Sequence, residues 1–195
     1  MKKLLNVGGN NRAIPLPMEY VGFQHLLLDI DPKGKPDILC DARTLHTLEA
    51  GQFDAVYCSH NLEHYYRHEV PKVLTGIKHV LKDDGFVHIR VPDIHEVMRQ
   101  TLARNLDIND VLYTSMAGPI TVQDVIYGLG VEIEQSGQDF YAHKTGFTQR
   151  SLYQALQLAG FSTIYSTTGS LEVTAWAFKN PPDAAGRALF KLPEG

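Results

Sequence analysis

The sequence predicts an α/β protein built on a doubly wound, mostly parallel sheet that finishes in an antiparallel strand pair. Three observations predict it. Short apolar runs within residues 4–7, 25–30, 37–42 and 53–58 each break off into glycines or polar residues, as do parallel strands whose carboxyl ends meet a ligand. After the fourth run, Val70, Val73, Leu74, Ile77, Val80 and Leu81 fall at offsets of 0, 3, 4, 7, 10 and 11, the strongest helical periodicity in the chain. Near the end, strand-like runs at 161–166 and 173–178 flank Gly169-Ser170, a link short enough to demand an antiparallel pair.

Composition bounds the class. The 195 residues, 44% hydrophobic and 21% charged, suit one well-buried domain. We expect it to span residues 1–179, with an insertion at about 93–147 over the site and a loosely held tail at 180–195. A formal charge of −4 and a pI near 6.1 leave no basic footprint, which argues against nucleic-acid and anionic-membrane partners. No apolar run approaches the roughly 18 residues of a membrane span, and the apolar stretch after Met1-Lys2-Lys3 is too short for a secretory signal. The expectation is a cytoplasmic protein, in which Cys40 and Cys58 are buried free thiols.

In chain order, Leu4-Leu5-Asn6-Val7 is a buried strand that runs into Gly8-Gly9-Asn10-Asn11, residues that tolerate positive φ. Pro15 and Pro17 prevent a regular helix before residue 18. The second strand ends at Asp29, twenty residues beyond Gly9. An acid at that place and spacing in a nucleotide-binding βαβ unit accepts hydrogen bonds from ribose hydroxyls. The third strand, Asp37-Ile38-Leu39-Cys40-Asp41-Ala42, delivers Asp41 to the same rim. Phe53-Asp54-Ala55-Val56-Tyr57-Cys58 then opens into Ser59-His60-Asn61-Leu62-Glu63-His64, a loop with more ionisable chemistry than a strand-to-helix link needs.

Beyond the periodic helix, Phe86-Val87-His88-Ile89-Arg90-Val91 is a fifth strand stopped by Pro92. Residues 94–106 form an amphipathic helix with Ile94, Val97, Met98, Leu102 and Leu106 on one face, and Thr121 with Asp124 has capping-box spacing for another. The glycines and aromatics that follow, with Tyr113, Tyr127, Phe140, Tyr141, His143 and Lys144, read as walls of the insertion. A last helix begins at Thr148 and ends before Gly160.

This order of elements is similar to that of the class I S-adenosylmethionine-dependent methyltransferases, especially the small type 11-like group. The resemblance covers about residues 4–178. Its best-matching pieces are Phe53-Asp54-Ala55-Val56 running into Ser59-His60-Asn61-Leu62-Glu63-His64, then Val80-Leu81-Lys82-Asp83-Asp84-Gly85-Phe86, and Ala159-Gly160-Phe161. It implies a Rossmann-like seven-stranded sheet and S-adenosylmethionine as cofactor. It further implies that Gly8 and Gly9 line the methionine and ribose side, that Asp29 holds the ribose hydroxyls, that Asp41 with the Ala42 amide faces adenine, and that Ser59 with His60 borders the methyl group. The chain departs from the family's first motif, acid-x-Gly-x-Gly-x-Gly, in carrying Asn6, Asn10 and Arg12 at the acid and the second and third glycines.

Methyl transfer is an in-line displacement that needs positioning and exclusion of water rather than a protein nucleophile. If the acceptor is a hydroxyl, a histidine base would help, with His60 the first candidate and His143 the second. No metal is assigned. A small-molecule acceptor is expected, chosen by the insertion because the first strand starts too early for an N-terminal cap. One rival reading is a zinc metallopeptidase, since His60-Asn61-Leu62-Glu63-His64 satisfies H-x-x-E-H. A nicotinamide oxidoreductase ranks lower because G-x-G-x-x-G is absent. A non-catalytic cofactor-binding module is the third, on the strength of the altered glycine loop.

Overall fold

Strand β1 (Lys3–Val7) lies inside the sheet, which explains why all its residues after Lys3 are buried. In the computed structural model, which describes residues 1–115 and 118–189, β1 pairs in parallel with β2 (Gln24–Asp29) on one side and β4 (Phe53–Ser59) on the other. Strand β3 (Ile38–Leu39) extends the β2 side, and β5 (Leu81–Pro92) extends the β4 side. Strands β8 (Thr163–Gly169) and β9 (Glu172–Phe178) complete a seven-stranded sheet of order β3-β2-β1-β4-β5-β9-β8, with β9 antiparallel to both neighbours. The predicted topology is realised. The third strand is shorter than expected, because Asp41 leaves it to cap the 3-10 turn Ala42–Thr47.

Helix α1 (Val70–Val80) carries the strongest periodicity and buries Val73, Leu74, Ile77 and Val80 completely. It joins Leu5, Val56, Val87 and Ala175 in the main core, to which α5 (Gln149–Leu158) adds Leu152 and Leu156. Helix α2 (Ile94–Ala103) is shorter than its pattern suggested: only Val97 of its apolar face is buried, while Met98 and Leu102 stay exposed.

The insertion has more structure than its composition announced. Strands β6 (Val111–Ser115) and β7 (Gly118–Thr121) form a separate antiparallel pair, followed by α3 (Val122–Tyr127) and α4 (Gly130–Ser136). The Thr121/Asp124 capping box forms as its spacing predicted. Val97, Leu112, Ile120, Val122 and Val125 make a small core of their own, so the segment holds its shape. Of the tail, Asn180 donates to Asp83 O at 2.8 Å and α6 spans Ala184–Leu189; residues 190–195 lie outside the described residues. Both cysteines are free thiols, Cys58 buried and Cys40 half-buried. Among the described residues, no helix is long and apolar enough to cross a membrane.

Candidate functional site

Strand order reverses between β1 and β4, and the crevice beyond their carboxyl ends is where such sheets take ligands. Gly8 leaves β1 with φ +73°, and a Cβ there would fall 2.1 Å from Asn61 Nδ2. Glycine is therefore required twice, by conformation and by space. Asn10, standing where the resembling family has a glycine, adopts φ +44°, so the loop keeps its left-handed turn. Gly9 packs on the loop's inner side, where a Cβ would meet Asn6 Nδ2 at 2.3 Å.

Asp29, at the tip of β2, is buried. Its carboxylate accepts from Asn10 N at 3.0 Å and from Asp31 N at 2.9 Å. Each carboxylate oxygen retains a lone pair after these bonds and can accept from the hydroxyls of a vicinal diol. It lines a cavity of about 190 Å3 with Gly8, Asn10, His60, Asn61 and Tyr141. The Tyr141 hydroxyl donates to Asp31 Oδ2 at 2.7 Å, which lays the insertion across the cavity mouth. That bond is the first cause of a lowered Asp31 pKa.

His60 follows β4 with φ +49° and lines both this cavity and a second one of about 440 Å3. The second cavity lies against the insertion and is also lined by Tyr113, Val125, Leu129, His143 and Glu172. The His60 Nε2 atom sits 2.5 Å from Glu172 Oε1, and Nδ1 sits 3.5 Å from Glu63 Oε1. Burial alone would lower the His60 pKa, but the hydrogen bond to Glu172 and the charges of Glu63 and Glu172 outweigh it and raise it to about 9. The two carboxylates thus favour the protonated ring at neutral pH, which makes it a poor proton acceptor. Its pairing with Glu172 and Glu63 weighs against His60 as the general base. Glu172 is in turn held by Arg90. It gave no signal in the sequence, because its place opposite Pro92 depends on the register of β9 against β5.

His143 reaches the second cavity on a backbone tied down on three counts. His143 N donates to Tyr127 O, and Lys144 N and Thr145 N both donate to Glu63 O. The remaining predicted site residues lie away from both cavities. Asp41 caps the turn at Arg43 N and pairs with the Arg43 side chain; Ala42 is buried in the core; Ser59 closes β4. Of the expected wall residues, Phe140 and Tyr141 line the first cavity and Tyr113 and His143 the second. Tyr127 is exposed, and Lys144 pairs with Asp139.

A doubly wound sheet with a glycine turn after β1 and an amide-oriented acid after β2 defines a nucleoside-binding α/β enzyme. The chain belongs to the methyltransferase domain family, whose profile matches residues 1–166, and is an S-adenosylmethionine-dependent methyltransferase of class I. Similar solved structures include the PH0226 protein of Pyrococcus horikoshii, at 16% identity and a TM-score of 0.58 over 90% of this chain and 81% of that one. A SAM-dependent methyltransferase from Archaeoglobus fulgidus matches at 16% identity and a TM-score of 0.55, over 90% and 85% of the two chains. A possible histamine N-methyltransferase from Thermotoga maritima matches at 13% and 0.55, over 92% and 83%. No curated protein matches the sequence.

These findings do not favour the rival readings. The H-x-x-E-H stretch forms a 3-10 turn at Leu62–His64 rather than a helix, and Glu63 is buried where a peptidase's glutamate must meet water.

Proposed function

We propose that this protein transfers a methyl group from S-adenosylmethionine to a small-molecule acceptor, with the nucleoside at the Asp29 cavity and the acceptor in the 440 Å3 cavity. The observation that carries the reading is the buried Asp29 carboxylate, oriented by two amides at the tip of β2. The donor set fits a nucleoside: an acid for the ribose hydroxyls and a loop whose backbone is accessible at Gly8 and Asn10. At 190 Å3 the cavity is below the roughly 300–1,000 Å3 usual for ligand pockets. Tyr141 and Phe140 set that limit, so loading requires Tyr141 to leave Asp31. The acceptor side already falls within the usual range, which supports a small molecule.

When bound, the cofactor supplies a methyl group activated by a sulfonium leaving group. The chain's part is positional. Asp29 holds the ribose, Tyr141 and Phe140 exclude water, and His60 forms the wall shared by the two cavities. His143 Nδ1 lies 2.9 Å from Val125 O and must donate to it, which leaves the Nε2 lone pair free. Of the two candidate histidines, His143 is the one whose ring nitrogens pair with no carboxylate among the described residues, and it is the better placed to take a proton from an acceptor. Calorimetric titration with S-adenosylhomocysteine tests the reading: a 1:1 complex is expected, and no binding to the folded protein would refute it.

A further inference from the structure

Glu63 is the most anomalous side chain in the molecule. It is 1% exposed, and neither carboxylate oxygen has a hydrogen-bond partner among the described residues. His60 Nδ1, at 3.5 Å, is within ion-pair range but lacks hydrogen-bond geometry. His60 gives this buried carboxylate one charged neighbour, but both oxygens keep unused acceptor capacity that a further cation would satisfy. Two imidazoles stand beside it. His64 and His143 meet edge to face with ring centroids 4.8 Å apart, and a ligand atom from each of Glu63, His64 and His143 lies within 4.8 Å of the others.

Both rings are already set for coordination. His64 Nδ1 lies 3.2 Å from Ala142 O and His143 Nδ1 2.9 Å from Val125 O. A carbonyl oxygen only accepts, so both Nδ1 atoms carry the proton and both Nε2 atoms carry the lone pair. This backbone-anchored tautomer is the usual second shell of metal-binding histidines. The Glu63 carbonyl meanwhile ties Lys144 N and Thr145 N to the same turn, which fixes His143 across from its partners.

We propose that Glu63, His64 and His143 form a binding site for a divalent first-row transition ion. Two imidazoles and one carboxylate are a donor set suited to Zn2+ or Co2+ and poorly suited to Mg2+ or Ca2+, which take oxygen ligands. Bonds of about 2.0–2.2 Å place tetrahedral ligands roughly 3.4 Å apart, so the widest pair closes by about 1.4 Å on loading. His64 lines the Asp29 cavity and His143 the larger one. The ion therefore belongs to the partition between them, with open coordination positions for ligands from either side. Metal binding rests on these three residues alone; only its relevance to methyl transfer rests on the function proposed above, and an ion on His143 Nε2 takes the lone pair that a base would need, so the two roles belong to separate states of that ring. The site differs from the H-x-x-E-H reading, because Glu63 is a ligand here and His60 is committed to Glu172.

The test uses untagged, chelator-stripped full-length protein titrated with Co2+ and followed by visible absorption, with Zn2+ competition to obtain affinity. One equivalent of Co2+ should develop d–d bands that Zn2+ abolishes. His143→Gln should weaken the Zn2+ dissociation constant at least tenfold, as should Glu63→Gln, whereas His79→Gln, remote from the cluster, should leave it unchanged. If Glu63→Gln does not fold, His143→Gln decides alone, since it leaves the Glu63–His60 pair in place. Absence of d–d bands, or bands that persist unchanged in His143→Gln, overturns the proposal in favour of a buried ion pair. S-adenosylhomocysteine titration of the same preparation separates the two ideas. Cofactor binding without metal binding sinks only the metal site, and metal binding without cofactor binding sinks only the functional reading.

Discussion

Removing the Asp29 carboxylate is the sharpest test of where the nucleoside sits. In the free protein, Asp29→Ala leaves Asn10 N and Asp31 N without their acceptor. Hydrogen bonds to a charged group contribute about 1.5–3 kcal/mol each, and these two amides lie at the edge of a loop where water replaces the lost partner. The stability loss should therefore stay near the lower figure, about 1.5 kcal/mol, and the variant should fold. Binding suffers separately. Loss of one ribose bond to a carboxylate, at the same 1.5–3 kcal/mol, weakens S-adenosylhomocysteine roughly 10- to 150-fold. Asp29→Asn keeps one acceptor oxygen, cannot serve both amides and the ribose, and should fall between. Calorimetry on all three proteins, with circular dichroism to establish folding, makes the comparison. A folded Asp29→Ala variant that binds as tightly as the parent would refute the assignment.

Four further outcomes follow from named contacts. Ile77→Ala opens a cavity under α1, where Ile77 is fully buried, and should cost about 2–5 kcal/mol in urea denaturation. Tyr141→Phe removes the bond to Asp31 that holds the insertion over the Asp29 cavity. If that bond contributes about 1 kcal/mol, S-adenosylhomocysteine should bind up to about fivefold more tightly, and weaker binding would instead make the hydroxyl a ligand contact. His60, with its pKa raised from the ordinary 6.5 to about 9, contributes stability that is complete below pH 6.5 and lost as pH rises through 9. Because the ring is 47% exposed, solvent screening limits the effect to about 1 kcal/mol. Urea midpoints at pH 6 and pH 9.5 should differ in the parent and converge in His60→Gln. His88, buried with its pKa depressed by burial to about 3, acts in the opposite sense. Its contribution is present above pH 6.5 and fades as pH falls toward 3, so His88→Phe should flatten the acid limb of the stability profile.

Much of this protein was legible before any coordinates. The offsets of Val73, Leu74, Ile77 and Val80 place four side chains on one face of a helix, and that face is the one buried. The apolar runs before Gly8, Asp29 and Ser59 define strands because period and run length are local properties. Asp29 was legible for the same reason, since its spacing from Gly9 is a one-dimensional fact with a three-dimensional consequence. At Asn10 the departure from the glycine motif keeps the left-handed turn, because asparagine reaches φ +44°.

What tertiary structure alone decided is pairing between residues far apart in the chain. His60 gained a carboxylate partner because β9 enters the sheet in the register that brings Glu172, 112 residues away, to its ring. His143 joined Glu63 and His64 because the insertion folds its own small core and crosses back over the β4 loop. Asp41 pairs with Arg43, two residues on, because the 3-10 turn it caps brings that guanidinium back to it. The physical reason is common to all three. Secondary structure follows from the periodicity of a segment with itself, whereas protonation state, ligand sets and cavity walls depend on which distant charges packing brings within a few ångströms, where Coulomb and desolvation energies change most steeply.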